Sequence, residues 1–275
     1  MWHRDQVHSM SSGRILCTFP GRYGDLLWAL PTIREIAEHT STQVELLIAG
    51  EFAGIAALLA AQSYIASVIV DHDWSLSSGW EPPVQAYHLY DQVYHLGYRR
   101  WPELPLPFEI YERVASGWTP APDQILARPW ITSPEEGYPI DIAFGFTDCW
   151  FELKYALLAL SFKWQRTYRG VFPPGSRWIT EAGYGPTSWL EAAKIISRAK
   201  LLLTDCSALH VLGVGLGIPV LLVEPMDARW NPIFYPLGMD GPQVTVVKGL
   251  DGKPTFDARH LKEAIEHAFE AREKG

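Results

Sequence analysis

Leu201-Leu202-Leu203-Thr204-Asp205-Cys206-Ser207-Ala208-Leu209-His210 runs directly into Val211-Leu212-Gly213-Val214-Gly215-Leu216-Gly217-Ile218-Pro219-Val220. Its apolar runs and breaks read as a short buried strand, a tight turn of small polar residues, a helix, a Gly-Ile-Pro break and a second buried strand from Val220 to Val223. Strand, helix and strand in that order make half of a doubly wound sheet. The turn falls at the carboxyl edge of such a sheet, where the first amides of a helix lack an intrahelical acceptor and carry partial positive charge. An anion suits that place. Asp205 is a candidate cap, Ser207 and Ala208 are small enough to let a phosphate approach the main chain, and His210 falls one helical turn on, facing the same mouth. The same residues also read as a capped core helix with a partly buried histidine, so the rest of the chain has to decide.

With 275 residues the chain has material for one large or two small domains. Its 48% hydrophobic and 20% charged residues are ordinary for a globular protein, while 12 Trp and 21 Pro are many. Basic residues number 23 against 31 acidic ones, and the net charge of −8 argues against a broad nucleic-acid-binding face. Cys17, Cys149 and Cys206 are odd in number and far apart, which suits free thiols in a reducing cytoplasm. No apolar run approaches the length of a membrane span, and Met-Trp-His-Arg-Asp is no signal core, so a cytoplasmic protein is expected.

Outward from the opening stretch, the first half repeats its logic. Arg14 to Phe19 is a strand candidate, followed by Pro20-Gly21-Arg22-Tyr23-Gly24. Asp25 then opens a helix to about His39, with Leu26, Leu27, Leu30, Ile33, Ile36 and Ala37 at helical spacing and Pro31 marking a kink or a late true start. Asp25 reads locally as an N-cap. Gln43 to Ala49, Tyr64 to Val70 and Gln92 to Leu96 are further strands, with helices over Phe52 to Ala61 and Phe108 to Ala115. Irregular sequence from about 117 to 138 marks a crossover, and a second unit starts with the strand Ile140 to Phe146. There an apolar helix over Phe151 to Phe162 is expected, then a helix from Trp189 to Ala199 with Ser188 at its N-cap and Glu191 at N3, a strand at Val244 to Val247 and a terminal helix from Asp257. Gly24 and Thr187, from the loops ahead of two other helices, complete the candidate donor-binding set of Asp205, Cys206, Ser207, Ala208, Leu209 and His210.

Two motifs, one per half, carry a resemblance. Gly-Arg-Tyr-Gly-Asp-Leu-Leu-Trp-Ala-Leu-Pro-Thr-Ile-Arg-Glu-Ile at 21 to 36 resembles the opening of glycosyltransferase family nine, the lipopolysaccharide heptosyltransferases. The stretch from Ala192 to Pro225 resembles that family's donor motif, Asp-(Ser/Thr)-Gly-x-x-His followed by a small-residue helix and Gly-x-Pro-Val. Cys206 stands where that motif has Ser or Thr, and Ser207 where it has Gly. The resemblance implies an α/β GT-B architecture, two Rossmann-like doubly wound domains facing across a cleft. Residues 1–138 would bind the acceptor and 139–256 the nucleotide sugar, with 257–275 a terminal helix free to pack back on the N-terminal domain. It also implies Asp25 as general base, the 205–210 turn as diphosphate cradle, and inverting transfer without metal or cofactor. The partners would be a nucleotide-diphosphate sugar and a glycan, lipid-linked or other hydroxyl acceptor. For the family's donor lysine, only Lys154, Lys163 and Arg177 offer themselves.

Three other readings compete. Asp71-His72-Asp73 after a strand suits a metal-dependent GT-A transferase, because two carboxylates spaced by one residue can hold a divalent cation. Gly213-Val214-Gly215-Leu216-Gly217 hints at a dinucleotide loop, but those glycines follow the helix start and so suit close helix packing. The altered residues at 206 and 207 suit a nucleotide-sugar-binding protein without turnover. Trp28, Trp101 and Trp230 are candidates to stack on a sugar or base.

Overall fold

The computed structural model describes residues 13–79, 81–82, 87–98, 106–115, 118, 124–133, 137–145, 173–179, 187–204, 207–224, 244–248 and 258–273. Two parallel sheets organise them. The first contains β1 (Ile15–Phe19), β2 (Val44–Ala49), β3 (Ile65–Asp71) and β4 (Gln92–His95) in the order β3-β2-β1-β4. The second contains β5 (Ile140–Phe144), β6 (Arg177–Trp178), β7 (Ala199–Thr204), β8 (Val220–Glu224) and β9 (Val244–Lys248) in the order β6-β5-β7-β8-β9. Each order reverses once, between β1 and β4 in the first sheet and between β5 and β7 in the second. At such a switch the connections leave in opposite directions and open a crevice beyond the strands' carboxyl ends.

The inner strands β1, β2, β5 and β7 are largely buried on both faces, as parallel sheets covered by helices require. In β7 the alternation is visible: Leu202 joins the main core with Ala143, Val220 and Leu222, while Leu201 and Leu203 join a smaller core with Ile142, Phe144 and Leu221. Leu261 and Ile265 of the terminal helix α6 (Ala258–Glu273) close this smaller core. The helix packs on the second sheet, where its apolar stripe meets the outer face that Leu201 and Leu203 present.

Helix α1 (Tyr23–Thr40) is longer than its sequence suggests and runs straight through Pro31. A proline there removes the amide that would bond the carbonyl of Leu27, four residues back. The indole N–H of Trp130 takes its place, donating to Leu27 O at 3.2 Å. The segment carrying Trp130 is docked on both halves. Arg34 donates to the carbonyls of Pro129 (2.9 Å) and Ile125 (2.8 Å), and Tyr64 donates to Trp130 O at 2.6 Å. The amides of Trp130 and Ile131 both donate to Gly215 O at 2.9 Å, at the end of helix α5 (Ala208–Gly215).

The remaining helices are α2 (Ala56–Ala60), preceded by a 3-10 turn over Gly50–Ile55, α3 (Leu106–Ala115) and α4 (Trp189–Ile196). The α4 cap is as expected, Ser188 Oγ accepting from the Glu191 amide at 3.1 Å. The apolar helix expected over 151–162 lies outside the described residues. One main core spans both sheets, so α1 of the first unit and α5 of the second share a packed interface.

Candidate active site

At the first switch point, β1 ends at Phe19 and the chain turns through Pro20, Gly21 and Arg22 into α1. Gly21 makes that turn possible, since a Cβ there would overlap the Phe19 ring and lie 2.8 Å from Asp25 Cβ. Arg22 is the N-cap, with extended backbone at φ −65 and ψ 172, and Asp25 is the third helical residue. Asp25 is thus not the N-cap that its position after Gly24 suggests. Its Oδ2 reaches back to accept the Arg22 amide at 3.2 Å. The phenol of Tyr98, just beyond the end of β4, donates to the same oxygen at 3.0 Å. Burial raises the Asp25 pKa above the ordinary carboxylate value, opposed by the Tyr98 hydroxyl, the Arg22 amide and the Arg22 charge. Burial, with the Asp25 charge beside it, pushes the Tyr98 phenol well above its ordinary value, so at neutral pH it keeps the proton that it donates to Asp25.

At the second switch point, β7 ends at Thr204 and Ser207 caps α5. Ser207 is extended (φ −145, ψ −177) and 6% exposed, its hydroxyl makes no capping bond to the helix, and Oγ is buried without a hydrogen-bond partner among the described residues. The first turn of α5 carries no acidic residue. Ala208 is half-buried, and the Leu209 side chain is core, packed where a Cβ on Gly145 would come within 3.1 Å of its Cδ1. Only main-chain groups of Leu209 can meet a ligand. His210 is buried beside the Ser207 cap. It is 2% exposed, its Nδ1 lies 3.1 Å from Ser207 O, and its ring stands edge-on to Trp28 at 6.0 Å. A carbonyl oxygen only accepts, so Nδ1 carries the proton in this contact. His210 holds the turn's shape and ties α5 to α1.

The two helix starts abut. A Cβ on Gly24 would lie 3.6 Å from Ala208 Cα and 3.9 Å from Ala208 N, so the space between the α1 backbone there and the first residue of α5 is what a single methyl group would fill. Tyr23, the first residue of α1, packs its ring 5.0 Å from that of Trp189, the first residue of α4. Half-buried Thr187 precedes α4 by two residues and so belongs to the same neighbourhood. Three helix N-termini and both switch points converge.

Other expected residues fall elsewhere. Trp28 is 3% exposed between Trp130 (ring centroids 5.6 Å apart) and His210, which makes it a packing element and not a stacking platform. Asp205, Cys206, Lys154, Lys163, Trp101 and Trp230 lie outside the described residues. Arg177 is exposed in the edge strand β6. Asp71 accepts the Asp73 amide at 2.9 Å, a local turn that occupies one of its carboxylate oxygens. Gly213 and Gly215 pack as expected, against Leu202 and Val220 and against Ile131 and Trp130, and Gly217 ends the helix at φ +75. Sequence reading missed Tyr98, which stands 73 residues from its partner. Its position directly after a strand next to β1 was the available signal.

No protein-family model and no curated protein matches the chain. Solved structures do. An Escherichia coli ADP-heptose lipopolysaccharide heptosyltransferase II aligns over 94% of this chain and 99% of its own, with TM-score 0.57 and 13% identity. A family 9 glycosyl transferase from Veillonella parvula DSM 2008 gives TM-score 0.55 and 14% identity over 95% and 96%. The Escherichia coli heptosyltransferase WaaC with ADP gives TM-score 0.53 and 13% identity over 94% and 98%. No described helix is long and apolar enough to cross a membrane. Two parallel α/β sheets matched end to end by these structures leave no place for the GT-A alternative: the chain has the α/β GT-B fold seen in glycosyltransferase family nine.

Proposed function

We propose that this protein is a glycosyltransferase that moves a sugar from a nucleoside-diphosphate sugar to an acceptor hydroxyl with inversion and without a metal. The observation that carries the proposal is the abutment of the two switch points, which sets a carboxylate with raised basicity beside a helix start whose cap hydroxyl lacks a partner. The N-terminal unit, 1–138, is assigned the acceptor and 139–256 the donor, in a cytoplasmic protein. Structural neighbours described with ADP or with ADP-2-deoxy-2-fluoro heptose support a nucleotide-sugar donor.

In the proposed reaction the acceptor oxygen forms a bond to the anomeric carbon on the face opposite the diphosphate, whose C–O bond breaks. Asp25 takes the acceptor proton. The leaving diphosphate is met by the first amides of α5, the Ser207 hydroxyl and the positive end of the helix, with Gly24 and Thr187 alongside. Asp205 and Cys206 are assigned to the same cradle by sequence, and His210 supports it through Ser207. An ionised Asp is a weak base in water, and burial strengthens it.

The test is a thermal-shift panel of ADP, UDP and GDP with their sugars, followed by nucleotide release with acceptors in EDTA. A diphosphate should raise the melting temperature, and turnover should survive chelation. Activity lost in EDTA and restored by manganese removes metal independence. Diphosphate binding without any turnover leaves a nucleotide-sugar-binding protein.

A further inference from the structure

Asp25 offers two oxygens, and the fold treats them unequally. Oδ2 accepts both the Arg22 amide at 3.2 Å and the Tyr98 phenol at 3.0 Å, while Oδ1 has no hydrogen bond among the described residues. The amide comes from the cap of the same helix and would persist for any acceptor side chain at that position. The phenol comes from just beyond the end of β4, the other strand of the switch point, whose His95 pairs in register with Thr18 of β1. The Tyr98 ring is braced by Phe19, centroids 6.4 Å apart. Two donors from two directions on one oxygen fix the plane of a carboxylate that a single helix-cap bond leaves free to rotate.

We propose that Tyr98 is a positioning residue for Asp25: it ties down Oδ2, so that Oδ1 is the oxygen presented to the acceptor hydroxyl. This rests on Asp25 being the base. The phenol stays protonated, and as a donor it favours the ionised carboxylate. Among the described residues the other charged groups acting on the pair are Arg22 at the cap and Glu109 from α3, while α5 meets the neighbouring Gly24 with Ala208. Removing the phenol oxygen should therefore make Asp25 harder to ionise and less well aimed, while the ring keeps its packing.

The experiment is Tyr98→Phe in the full chain carrying 13C-carboxyl aspartate, with the Asp25 resonance assigned by its loss in Asp25→Asn. The Asp25 titration midpoint should move to higher pH by about one unit, the size of one lost hydrogen bond to a carboxylate. With any nucleotide sugar that the chain turns over, the acid limb of the rate should move the same way, and nucleoside-diphosphate affinity should not change. An unmoved midpoint overturns the inference. If Asp25→Asn abolishes transfer but Tyr98→Phe leaves midpoint and acid limb in place, the base assignment stands and the role of Tyr98 falls. If Asp25→Asn transfers normally, the base assignment falls and takes this inference with it.

Discussion

The start of α1 and the start of α5 are the same device used in opposite ways. Each follows a parallel strand at the point where its sheet reverses, and each has amides that lack intrahelical acceptors. In α1 the chain answers its own helix end: Asp25 reaches back to the Arg22 amide and supplies negative charge in the first turn. In α5 the described residues do not. No acidic residue sits in that first turn, and Ser207, of a residue type well suited to capping, makes no capping bond and holds a buried hydroxyl that has no partner among the described residues. A cap that neutralises its helix repels a phosphate, and one left unanswered attracts it. On the proposed function, proton acceptor and anion cradle would separate between two similar helix starts that come together at Gly24 and Ala208.

The largest effect should come from neutralising the side that is already answered. Asp25→Asn should lower transfer by roughly 10²-fold or more, the scale of general-base catalysis, with nucleotide affinity kept because the cradle lies on α5. The structure adds a second expectation. Asp25 has its pKa raised in the folded chain, so its contribution to stability is present at low pH and is lost as pH rises through the folded value. Where it is ionised, its buried charge is a cost, and an asparagine oxygen can still accept from Arg22 and Tyr98. The variant should therefore melt no lower than wild type at neutral pH, with any advantage shrinking on acidification. Wild-type transfer, for its part, should fall on acidification at a pH above the ordinary carboxylate range. A variant that keeps near-normal transfer returns Asp25 to the role of a cap and breaks the comparison on its α1 side.

Much of this contrast was legible in the sequence, but unevenly. The strand-turn-helix of β7 and α5 shows in its run of leucines and its small polar turn because both signals are local. The start of α1 was misread by two residues, since Asp25 can cap from the third helical position as readily as from the N-cap, and only the Arg22 backbone distinguishes the two. The passage of α1 through Pro31 depends on Trp130, about a hundred residues away in sequence, whose indole bonds the carbonyl that the proline leaves unpaired. Tyr98 and the buried settings of Trp28 and His210 are likewise tertiary facts. An aromatic residue near a motif reads equally as ligand platform or as core until its neighbours are known. The two-residue β6 carries too little periodicity to register at all.

On the α5 side the effect should be smaller. Ser207→Ala deletes a hydroxyl that is buried without a partner, so it should cost no stability and can raise it, because desolvation of that oxygen is uncompensated in the folded chain. If the hydroxyl meets a phosphate oxygen, affinity for ADP or whichever diphosphate binds should fall about fivefold to tenfold, the worth of one hydrogen bond of about 1 kcal/mol. Calorimetric titration beside a melting curve separates the two quantities. Unchanged affinity with raised stability would show that the hydroxyl is simply unsatisfied, and the asymmetry between the two helix starts would then rest on charge alone.

The smallest effect belongs to the point of contact. Gly24 is the second residue of α1, and a Cβ there would meet Ala208 at 3.6 Å, an ordinary van der Waals separation, so the fold does not exclude alanine at this position. Glycine in a helix gives up roughly 0.5–1 kcal/mol relative to alanine through chain entropy, and Gly24→Ala should recover part of it as a raised melting temperature. A reason for keeping glycine would be the approach of a third body to the α1 backbone beside α5. If the diphosphate makes that approach, the added methyl should weaken its binding by about threefold, or about 0.6 kcal/mol, while stability rises. Opposite signs in the two measurements would mean that α1 shares the anion with α5. A rise in stability with no change in affinity would confine the anion to α5 and sharpen the division of labour between the two helices.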